Sequence, residues 1–334
     1  MNSVLHIVLY PLYLLYLCIT FIRNLLYDLN ILSVNKIDCK VISVGNLSFG
    51  GTGKTPFTIA LAKELQSKYR VAILSRGYKR DSHGTMLVTD GITAPKDWKV
   101  VGDEPYLMSQ KLSEIPIVID ENRNRGAKFL VNNLKPDVIL LDDGFQHRKL
   151  HRDIDIVLLD ASISIGFNHW REPFRALNRS GILLLTKAQD VNKLEHWKKR
   201  LSTFNKPTFN ITNQIDDELI GQGDKTLNIA NIKGSSVITF SGIANHDSFD
   251  NTVKQLKCDI VDSLSFKDHH IYAVHDLKTL EEKYNELNPD FILTTEKDII
   301  KLPPTELPIY AVSVRMNISK DLLEHIDNEI RLLD

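Results

Sequence analysis

The stretch Val44-Gly-Asn-Leu-Ser-Phe-Gly-Gly-Thr-Gly-Lys-Thr-Pro56 decides the fold of this chain. It follows the short apolar run Cys39–Gly45 and leads into a helical pattern over Lys54–Leu65, and this strand–loop–helix order is typical of a phosphate-binding loop. The tripeptide Gly53-Lys54-Thr55 matches the end of the pattern G-x-x-x-x-G-K-[ST], while Ser48 stands in place of the first glycine. The sequence therefore predicts a nucleotide-binding loop rather than an ordinary glycine-rich turn.

The residue types of this loop suit a triphosphate. Its glycines let backbone N–H groups turn inward around phosphate oxygens, and the helix that follows offers its positive end. We expect Lys54 to reach the β- and γ-phosphates of ATP, and the Thr55 hydroxyl to ligate Mg²⁺. The predicted cradle consists of Ser48, Phe49, Gly50, Gly51, Thr52, Gly53, Lys54 and Thr55.

A second stretch, Asp137-Val-Ile-Leu-Leu-Asp142-Asp143-Gly144, places two aspartates where a buried strand should end. Alone, Asp-Asp-Gly is as typical of a turn as of a metal site. Downstream of a phosphate-binding loop it becomes a Walker B candidate, in which Asp142 or Asp143 holds the metal directly or through water.

Short apolar runs alternate with helical patterns along most of the chain, which favours a parallel sheet with right-handed crossovers. The pattern predicts an α/β fold: a P-loop NTPase-like parallel sheet flanked by helices, a smaller C-terminal α/β lobe and an N-terminal membrane-associated helix. The polar stretch Thr212–Gly234 is predicted to be a linker or a small hairpin. The predicted units are residues 1–28, 29–213 and 214–334.

Composition excludes several classes of protein. The 334 residues carry 41 Lys+Arg against 42 Asp+Glu, a balance that argues against a nucleic-acid binder. With 43% hydrophobic and 25% charged residues, the chain is globular rather than disordered. Its 3 cysteines are widely spaced, so a disulfide scaffold is not expected and a reducing compartment fits. No feature of the sequence points to an obligate protein partner.

The N-terminal run Val4–Ile22 has no Asp, Glu, Lys or Arg and is long enough to cross a bilayer. A signal peptide is rejected because Met1–His6 is not basic and no small-residue cleavage site follows. Two membrane arrangements stay open: a spanning helix, which Pro11 would kink, and a helix lying in the interface with a tyrosine-lined stripe. The alternative is a core helix, but the run is too uniformly apolar for a helix on a water-exposed surface.

Two large P-loop classes fit poorly. A GTPase would read guanine with Asn/Thr-Lys-x-Asp, whereas Thr186-Lys-Ala-Gln189 has glutamine at the carboxylate position. Partitioning ATPases carry an extra lysine where this chain has Phe49. A membrane-docked switch ATPase acting on a protein partner remains the alternative, because it would also explain the N-terminal helix.

Several further motifs occur in a fixed order and resemble those of the tetraacyldisaccharide 4′-kinase (lipid A 4′-kinase) family over nearly the full chain. After the N-terminal apolar helix they are Ser43-Val-Gly-Asn-Leu47, Gly50-Gly-Thr-Gly-Lys-Thr-Pro56, Ser75-Arg-Gly-Tyr78, Gly102-Asp-Glu-Pro105, Asp142-Asp-Gly-Phe-Gln-His147, Arg171-Glu-Pro173, Phe240-Ser-Gly-Ile-Ala-Asn245, Asp268-His-His270 and Thr294-Thr-Glu-Lys-Asp298. The resemblance implies transfer of the ATP γ-phosphate to the 4′-hydroxyl of an acylated glucosamine disaccharide 1-phosphate. It also implies a monotopic enzyme on the cytoplasmic face of a Gram-negative inner membrane.

The resemblance also suggests roles for individual residues. Asp103 matches the family's catalytic aspartate, which would accept the proton of the sugar hydroxyl, and Glu104 is able to exchange roles with it. His269 matches the family histidine that orients or tunes that aspartate, in a pair that would form fully only when the two lobes close. Glu172 is a candidate to complete the Mg²⁺ shell.

Other polar residues are candidates for the substrate or the reacting phosphate. Arginines suit phosphate groups because their guanidinium binds two oxygens at once. Lys187 and the stretch Thr294–Asp298 are expected to seat the adenosine end. The substrate candidates are Arg76, Tyr78, Glu104, Arg123, Gln146, His147 and Arg171.

Overall fold

The structure is a computed structural model that describes residues 3–93, 97–163, 170–223 and 225–333. Its first sheet has eight strands in the order β3-β4-β2-β5-β1-β6-β7-β8. They are β1 Lys40–Asn46, β2 Val71–Ser75, β3 Met86–Thr89, β4 Ile117–Ile119, β5 Val138–Asp142, β6 Ile154–Asp160, β7 Ile182–Thr186 and β8 Thr208–Asn210. Only the edge strand β3 runs antiparallel, and the parallel α/β fold predicted from the sequence is confirmed.

Helices cover both faces of this sheet: α2 Lys54–Leu65, α3 Trp98–Val101, α4 Asp103–Lys111, α5 Arg123–Asn133 and α6 Val191–Leu201. Strand β5 is buried throughout, and so is β6, because apolar clusters lie on each side of the sheet. Burying a Leu or Ile side chain contributes about 1.5–3 kcal/mol. Two-sided burial therefore explains the continuous apolar runs of these strands.

The second sheet has six strands in the order β10-β9-β14-β13-β11-β12. They are β9 Thr212–Gly221, β10 Thr226–Asn228, β11 Ser236–Ser241, β12 Asp259–Ser265, β13 Phe291–Thr295 and β14 Ile309–Asn317. The helices of this part are α7 His246–Gln255, α8 Val274–Leu287, α9 Glu296–Ile299 and α10 Lys320–Arg331. Strands β9 and β10 form an antiparallel hairpin in the polar stretch, and β9 also pairs with β14.

The last helix joins the two sheets. Leu322, Ile326 and Ile330 of α10 belong to the core cluster of the first sheet, and Asp327 accepts hydrogen bonds from Lys68 and Tyr69 just after α2. The C-terminal end of the chain thus packs on the nucleotide-binding part, while the second sheet keeps apolar clusters of its own.

The N-terminal helix α1 spans Ser3–Asp28 and continues through Pro11. Its segment Tyr10–Asp28 is long and apolar enough to cross a membrane, and only 11% of it is buried against the rest of the protein. The side that does meet the body uses polar atoms: the Tyr13 hydroxyl donates to the carbonyl of Trp170, and the Tyr16 hydroxyl to that of Arg171. The tyrosine stripe noted in the sequence therefore attaches α1 to the segment around residue 171.

Candidate active site

The glycine-rich loop lies at the carboxyl end of the central strand β1, where ligands bind in parallel sheets. Gly53 takes φ +88° immediately before α2, a left-handed conformation that favours glycine. No described side chain caps α2, so the N–H groups of its first turn are available to an anion. The Asn46 amide donates to the Thr52 hydroxyl at 3.0 Å and holds the loop from the strand side.

Lys187 supports the loop from the other side. Its Nζ donates to the carbonyl of Gly51 at 2.9 Å and pairs with Asp160 at 2.8 Å. These contacts place Lys187 beside the phosphate loop, where its ammonium group stabilises the loop conformation, and its contact with the adenosine end stays a prediction.

Asp143 follows β5 in a left-handed conformation, with φ +50°. One of its oxygens lies 3.4 Å from Lys54 Nζ, and Arg171 donates to both oxygens at 2.9 and 3.0 Å. Burial raises the pKa of Asp143, but the charges of Lys54 and Arg171 outweigh burial and hold the pKa below its usual range. The structure thus brings the loop lysine, the second aspartate and Arg171 together.

Asp142 ends β5 and is almost completely buried. Its carboxylate accepts hydrogen bonds from the hydroxyls of Ser75 at 3.0 Å and Thr58 at 3.4 Å. Burial first, then the nearby charges of Glu104 and Asp143, raise the pKa of Asp142. Because Glu104 and Asp143 add negative charge around Asp142, a divalent cation bound to this carboxylate would be stabilised.

Asp103 and His269 meet across the two lobes. Asp103 opens α4, and His269 lies in the loop after β12 with φ +59°. Asp103 Oδ2 lies 2.7 Å from His269 Nδ1, and the ring of Tyr78 meets the imidazole edge-on at 5.3 Å. The pair expected to form fully only on lobe closure is already in contact in this conformation.

Two lysines of the C-terminal lobe also face Asp103. Lys297 and Lys301 each place Nζ 4.0 Å from its Oδ2, while Lys297 pairs with Glu104 at 2.9 Å and Lys301 with Asp298 at 2.9 Å. Burial raises the pKa of Asp103, but the hydrogen bond from His269 and the charges of both lysines lower it below its usual value.

Sequence reasoning missed these two lysines as neighbours of Asp103. It assigned Thr294–Asp298 to the adenosine end, whereas α9 brings Lys297 to the carboxylate pair of α4. The signal in the sequence was the position of this motif at the end of an apolar strand, because functional side chains in parallel sheets cluster at the carboxyl ends of the strands.

Arg76, Arg123, Gln146 and His147 surround the two aspartates less tightly. Arg123 is buried, and burial together with the charge of Arg76 lowers its pKa to about 10. Burial likewise lowers the pKa of His147 to about 4, so its imidazole is neutral at pH 7. Gln146 donates to the carbonyl of Asn46 at 2.8 Å, which holds it beside the strand leading into the loop.

Glu172 is fully buried but turned toward α1. Its Oε1 pairs with Arg23 at 3.2 Å, and its Oε2 accepts from the Asn24 amide at 2.6 Å and pairs with Arg179 at 2.8 Å. Both oxygens are therefore engaged by donors from α1 and by Arg179. The place of Glu172 in the Mg²⁺ shell stays a prediction.

Comparison with known proteins agrees with this arrangement. The family model described as tetraacyldisaccharide-1-P 4′-kinase matches residues 5–331. Similar relatives include the tetraacyldisaccharide 4′-kinases of Aquifex aeolicus, 37% identical over 305 residues (90% of each chain), and of Flavobacterium johnsoniae, 36% identical over 312 residues (90% of this chain, 88% of the relative).

A solved structure is similar over the whole molecule. The crystal structure of LpxK from Aquifex aeolicus in complex with ATP superposes with a TM-score of 0.76 and 34% sequence identity, covering 98% of this chain and 99% of that one. The family match over residues 5–331 spans the phosphate loop, Asp103 and His269. The chain therefore belongs to the tetraacyldisaccharide-1-P 4′-kinase family.

Proposed function

We propose that this protein transfers the γ-phosphoryl group of ATP to the 4′-hydroxyl of the tetraacyl glucosamine disaccharide 1-phosphate precursor of lipid A, giving lipid IVA. Family membership over residues 5–331 supports this function, and ATP and Mg²⁺ are the cofactors of such a kinase. The observation that carries the proposal is a phosphate loop and a cross-lobe carboxylate–histidine pair in one site. No finding supports the alternative of a switch ATPase.

The nucleotide side of the site follows from the loop. The backbone N–H groups of the loop and the first turn of α2 surround the phosphates, and Lys54 moves from Asp143 to the β- and γ-phosphate oxygens. Arg171 binds the same aspartate through Nη1, so its Nη2 is left to donate to the γ-phosphoryl group. Both cations then stabilise the charge that develops on the γ-phosphoryl group.

The donor set suits Mg²⁺, a hard cation that prefers oxygen ligands. Thr55 supplies a hydroxyl, and Asp142 supplies a carboxylate whose own neighbours are hydroxyls and acids. When Lys54 turns to the phosphates, both oxygens of Asp143 still accept from one nitrogen of Arg171, which favours Asp142 as the protein carboxylate nearer the metal. Bound there, Mg²⁺ would offset the charge of the phosphate oxygens.

Asp103 is the proposed general base. As the bond from O4′ to the γ-phosphorus forms and the bond from that phosphorus to the bridging oxygen breaks, the hydroxyl proton passes to Asp103 and ADP leaves. His269 donates its Nδ1–H to Asp103 and fixes the direction of the carboxylate. Because the pKa of Asp103 lies below its usual value, the carboxylate is ionised at neutral pH and can accept the proton. Glu104 is the neighbouring carboxylate held by Lys297.

The substrate is proposed to contact polar residues around this base. Most of their side chains offer donors to phosphate or sugar oxygens, whereas the carboxylate of Glu104 would accept from a sugar hydroxyl. The residues are Arg76, Tyr78, Glu104, Arg123, Gln146, His147 and Arg171.

The N-terminal helix is proposed to hold the kinase at the cytoplasmic face of the inner membrane. An acyl chain resists leaving the bilayer by about 0.8 kcal/mol per buried CH₂, so the site must come to the headgroup plane. The exposed apolar side chains of α1, among them Leu12, Leu15 and Ile19, support contact with lipid. Because polar atoms of Tyr13 and Tyr16 attach α1 to the body, we favour a helix lying in the interface over a spanning one.

The function is tested by incubating the purified protein and the lipid A precursor with ATP labelled on the γ-phosphate. Label is expected in the lipid, and Lys54→Ala should abolish it because the phosphates lose their main counter-charge. Lys63→Ala, on the exposed end of the same helix α2, is the matched control and should keep wild-type turnover. ATP hydrolysis with no label in the lipid would refute the kinase assignment.

A further inference from the structure

A cavity of about 300 Å³ lies where the end of α1 meets the segment after Glu172. Its lining contains no residue of the phosphate loop 48–55, nor Asp103 or His269. It is therefore separate from the proposed kinase site. Its lining includes Phe21, Leu25, Asp28, Arg148, Arg175 and Arg179.

The lining is basic. Three arginines against the single acid Asp28 give it a formal charge of +2. Asp28 is engaged by one nitrogen of Arg148 at 2.7 Å, and the other nitrogen donates to the carbonyl of Asn24 at 3.0 Å. An anion entering this cavity meets more positive charge than the protein itself neutralises.

Two guanidinium groups retain donors for a ligand. Arg175 is exposed, and among the described residues it has no hydrogen-bond or ion-pair partner. Arg179 pairs with Glu172 and donates to the carbonyls of Ala176 and Phe145, and its Nε is buried without a partner among those residues. The guanidinium group of Arg175 is left to bind two phosphate oxygens at once, so this arrangement suits a phosphate group.

The same cavity is continuous with the apolar face of α1. Phe21 and Leu25 line it and are also 44% and 43% exposed, and Ile22 between them is 55% exposed. Several exposed apolar side chains close together on one helix indicate contact with lipid or another apolar partner. A ligand with an anionic head and apolar chains would match both surfaces at once.

We propose that this cavity binds the phosphate of an anionic glycerophospholipid of the bilayer, whose acyl chains lie along the exposed face of α1. The proposal rests on the membrane contact put forward in the proposed function. It assigns the cavity a role that the kinase reaction does not need: fixing the depth and rotation of α1, so that the adjoining segment with Arg171 and Glu172 faces the headgroup plane. Basic residues near an anionic leaflet gain attraction from its surface potential.

The test measures binding of the full chain to vesicles of phosphatidylcholine alone and of equimolar phosphatidylcholine and phosphatidylglycerol. We expect the wild type to bind the anionic vesicles more tightly, and Arg175→Gln to lose about fivefold of that affinity, which is the usual contribution of one basic residue. Arg175→Lys keeps the charge but loses the two-pronged donor, and it should also bind more weakly. Arg315→Gln, an exposed arginine of β14, is the control and should match the wild type.

A double variant, Arg148→Gln with Arg175→Gln, should remove most of the preference for the anionic vesicles. Because Arg148 also pairs with Asp28, its thermal unfolding is checked first, and the exposed Arg175 variant serves alone if the double variant does not fold. Binding to neutral vesicles should stay unchanged in each folded variant, because α1 supplies it.

Three results would overturn the proposal. The first is equal binding of the wild type to both kinds of vesicle, and the second is wild-type binding of Arg175→Gln to anionic vesicles. The third is a higher KM of Arg175→Gln for the disaccharide substrate in neutral detergent micelles, which would show that the cavity holds the substrate's own phosphate. A failure of the kinase assignment would be seen separately, as no labelled lipid from the wild type, and a failure of membrane contact as no binding to neutral vesicles.

Discussion

The contact between Asp103 and His269 makes a specific prediction about pH. We consider His269→Asn, because His269 has φ +59° and asparagine tolerates that left-handed conformation better than most residues. The substitution removes the imidazole that lies 2.7 Å from Asp103 Oδ2 and leaves Lys297 and Lys301 in place. The effect on Asp103 is then the loss of one hydrogen bond to a buried carboxylate.

The magnitude follows from that bond. A hydrogen bond to a charged group contributes about 1.5–3 kcal/mol. At about 1.36 kcal/mol per pKa unit, its loss raises the pKa of Asp103 by about 1–2 units. In the wild type the pKa of Asp103 lies below its ordinary value despite burial, because His269 and the two lysines outweigh burial. In the variant, only the two lysines oppose the effect of burial, so Asp103 becomes protonated at a higher pH.

The assay is the pH profile of kcat/KM for lipid phosphorylation. We expect the acid limb of the variant to lie about 1–2 units above that of the wild type, so that its activity falls more at pH 5 than at pH 8. His270→Asn is the matched control, since the neighbouring His270 pairs with Asp276 of its own lobe at 3.1 Å and should leave the profile unmoved. An unchanged acid limb in a folded His269→Asn protein would refute the role of His269 in tuning the base.

The same pair affects stability with a defined sign. Because the folded pKa of Asp103 is depressed, its ionised form stabilises the native state above the ordinary carboxylate pKa, and that contribution is lost as the pH falls through the folded pKa. The Tm difference between the wild type and His269→Asn should therefore be present at pH 7 and shrink toward pH 3. A Tm difference that is constant over this range would contradict the assigned pKa direction.

Two further predictions concern backbone strain and buried charge. In Gly53→Ala, the added Cβ would lie 2.1 Å from Met316 Cε, and alanine would have to adopt φ +88°. The affinity for ATP, measured by calorimetry, should therefore fall at least tenfold. Gly51→Ala has open space around its Cβ and an ordinary φ, so it should bind ATP nearly as the wild type does, and equal losses in both variants would contradict the strain argument. In Glu172→Gln, two arginines lose a buried counter-charge, so the free energy of unfolding in urea should fall by about 3 kcal/mol. Glu195→Gln, which breaks an exposed pair with Lys198, should cost about 1 kcal/mol or less, and similar values for both would refute the importance of Glu172.

The sequence was enough to predict the strands that are buried on both faces. Strands β1 and β5 are buried along almost their whole length because helices cover both sides of the sheet, and a short, mostly apolar run between turns is typical of such a strand. The edge strand β3, Met86–Thr89, was missed because it is partly exposed, short and paired on one side only. Helix α4 was missed because it begins at Asp103-Glu-Pro and carries no clean apolar stripe.

The phosphate loop could be read from the sequence because its function depends on local geometry: three glycines, a lysine and a helix start within a few residues. The Asp103–His269 contact joins residues 166 apart, and only the resemblance to a family indicated that they belong together. Spacing alone carries no information on such a contact, because it depends on how the second sheet packs against the first.

Glu172 shows what a short motif leaves open about the surroundings of a residue. An acid next to an arginine that contacts the aspartate after β5 is a reasonable metal ligand from the sequence, because both residues share one short loop. A carboxylate with no exposed surface needs compensating charge, and here α1 delivers Arg23 and Asn24 from 149 and 148 residues away, with Arg179 completing the cluster. Arg171 and Glu172 are consecutive, and the first is bound to Asp143 while the second is bound to α1. The same two residues therefore fix the position of α1 and the position of Arg171. Any displacement of α1 therefore has a short covalent path to the site of phosphoryl transfer.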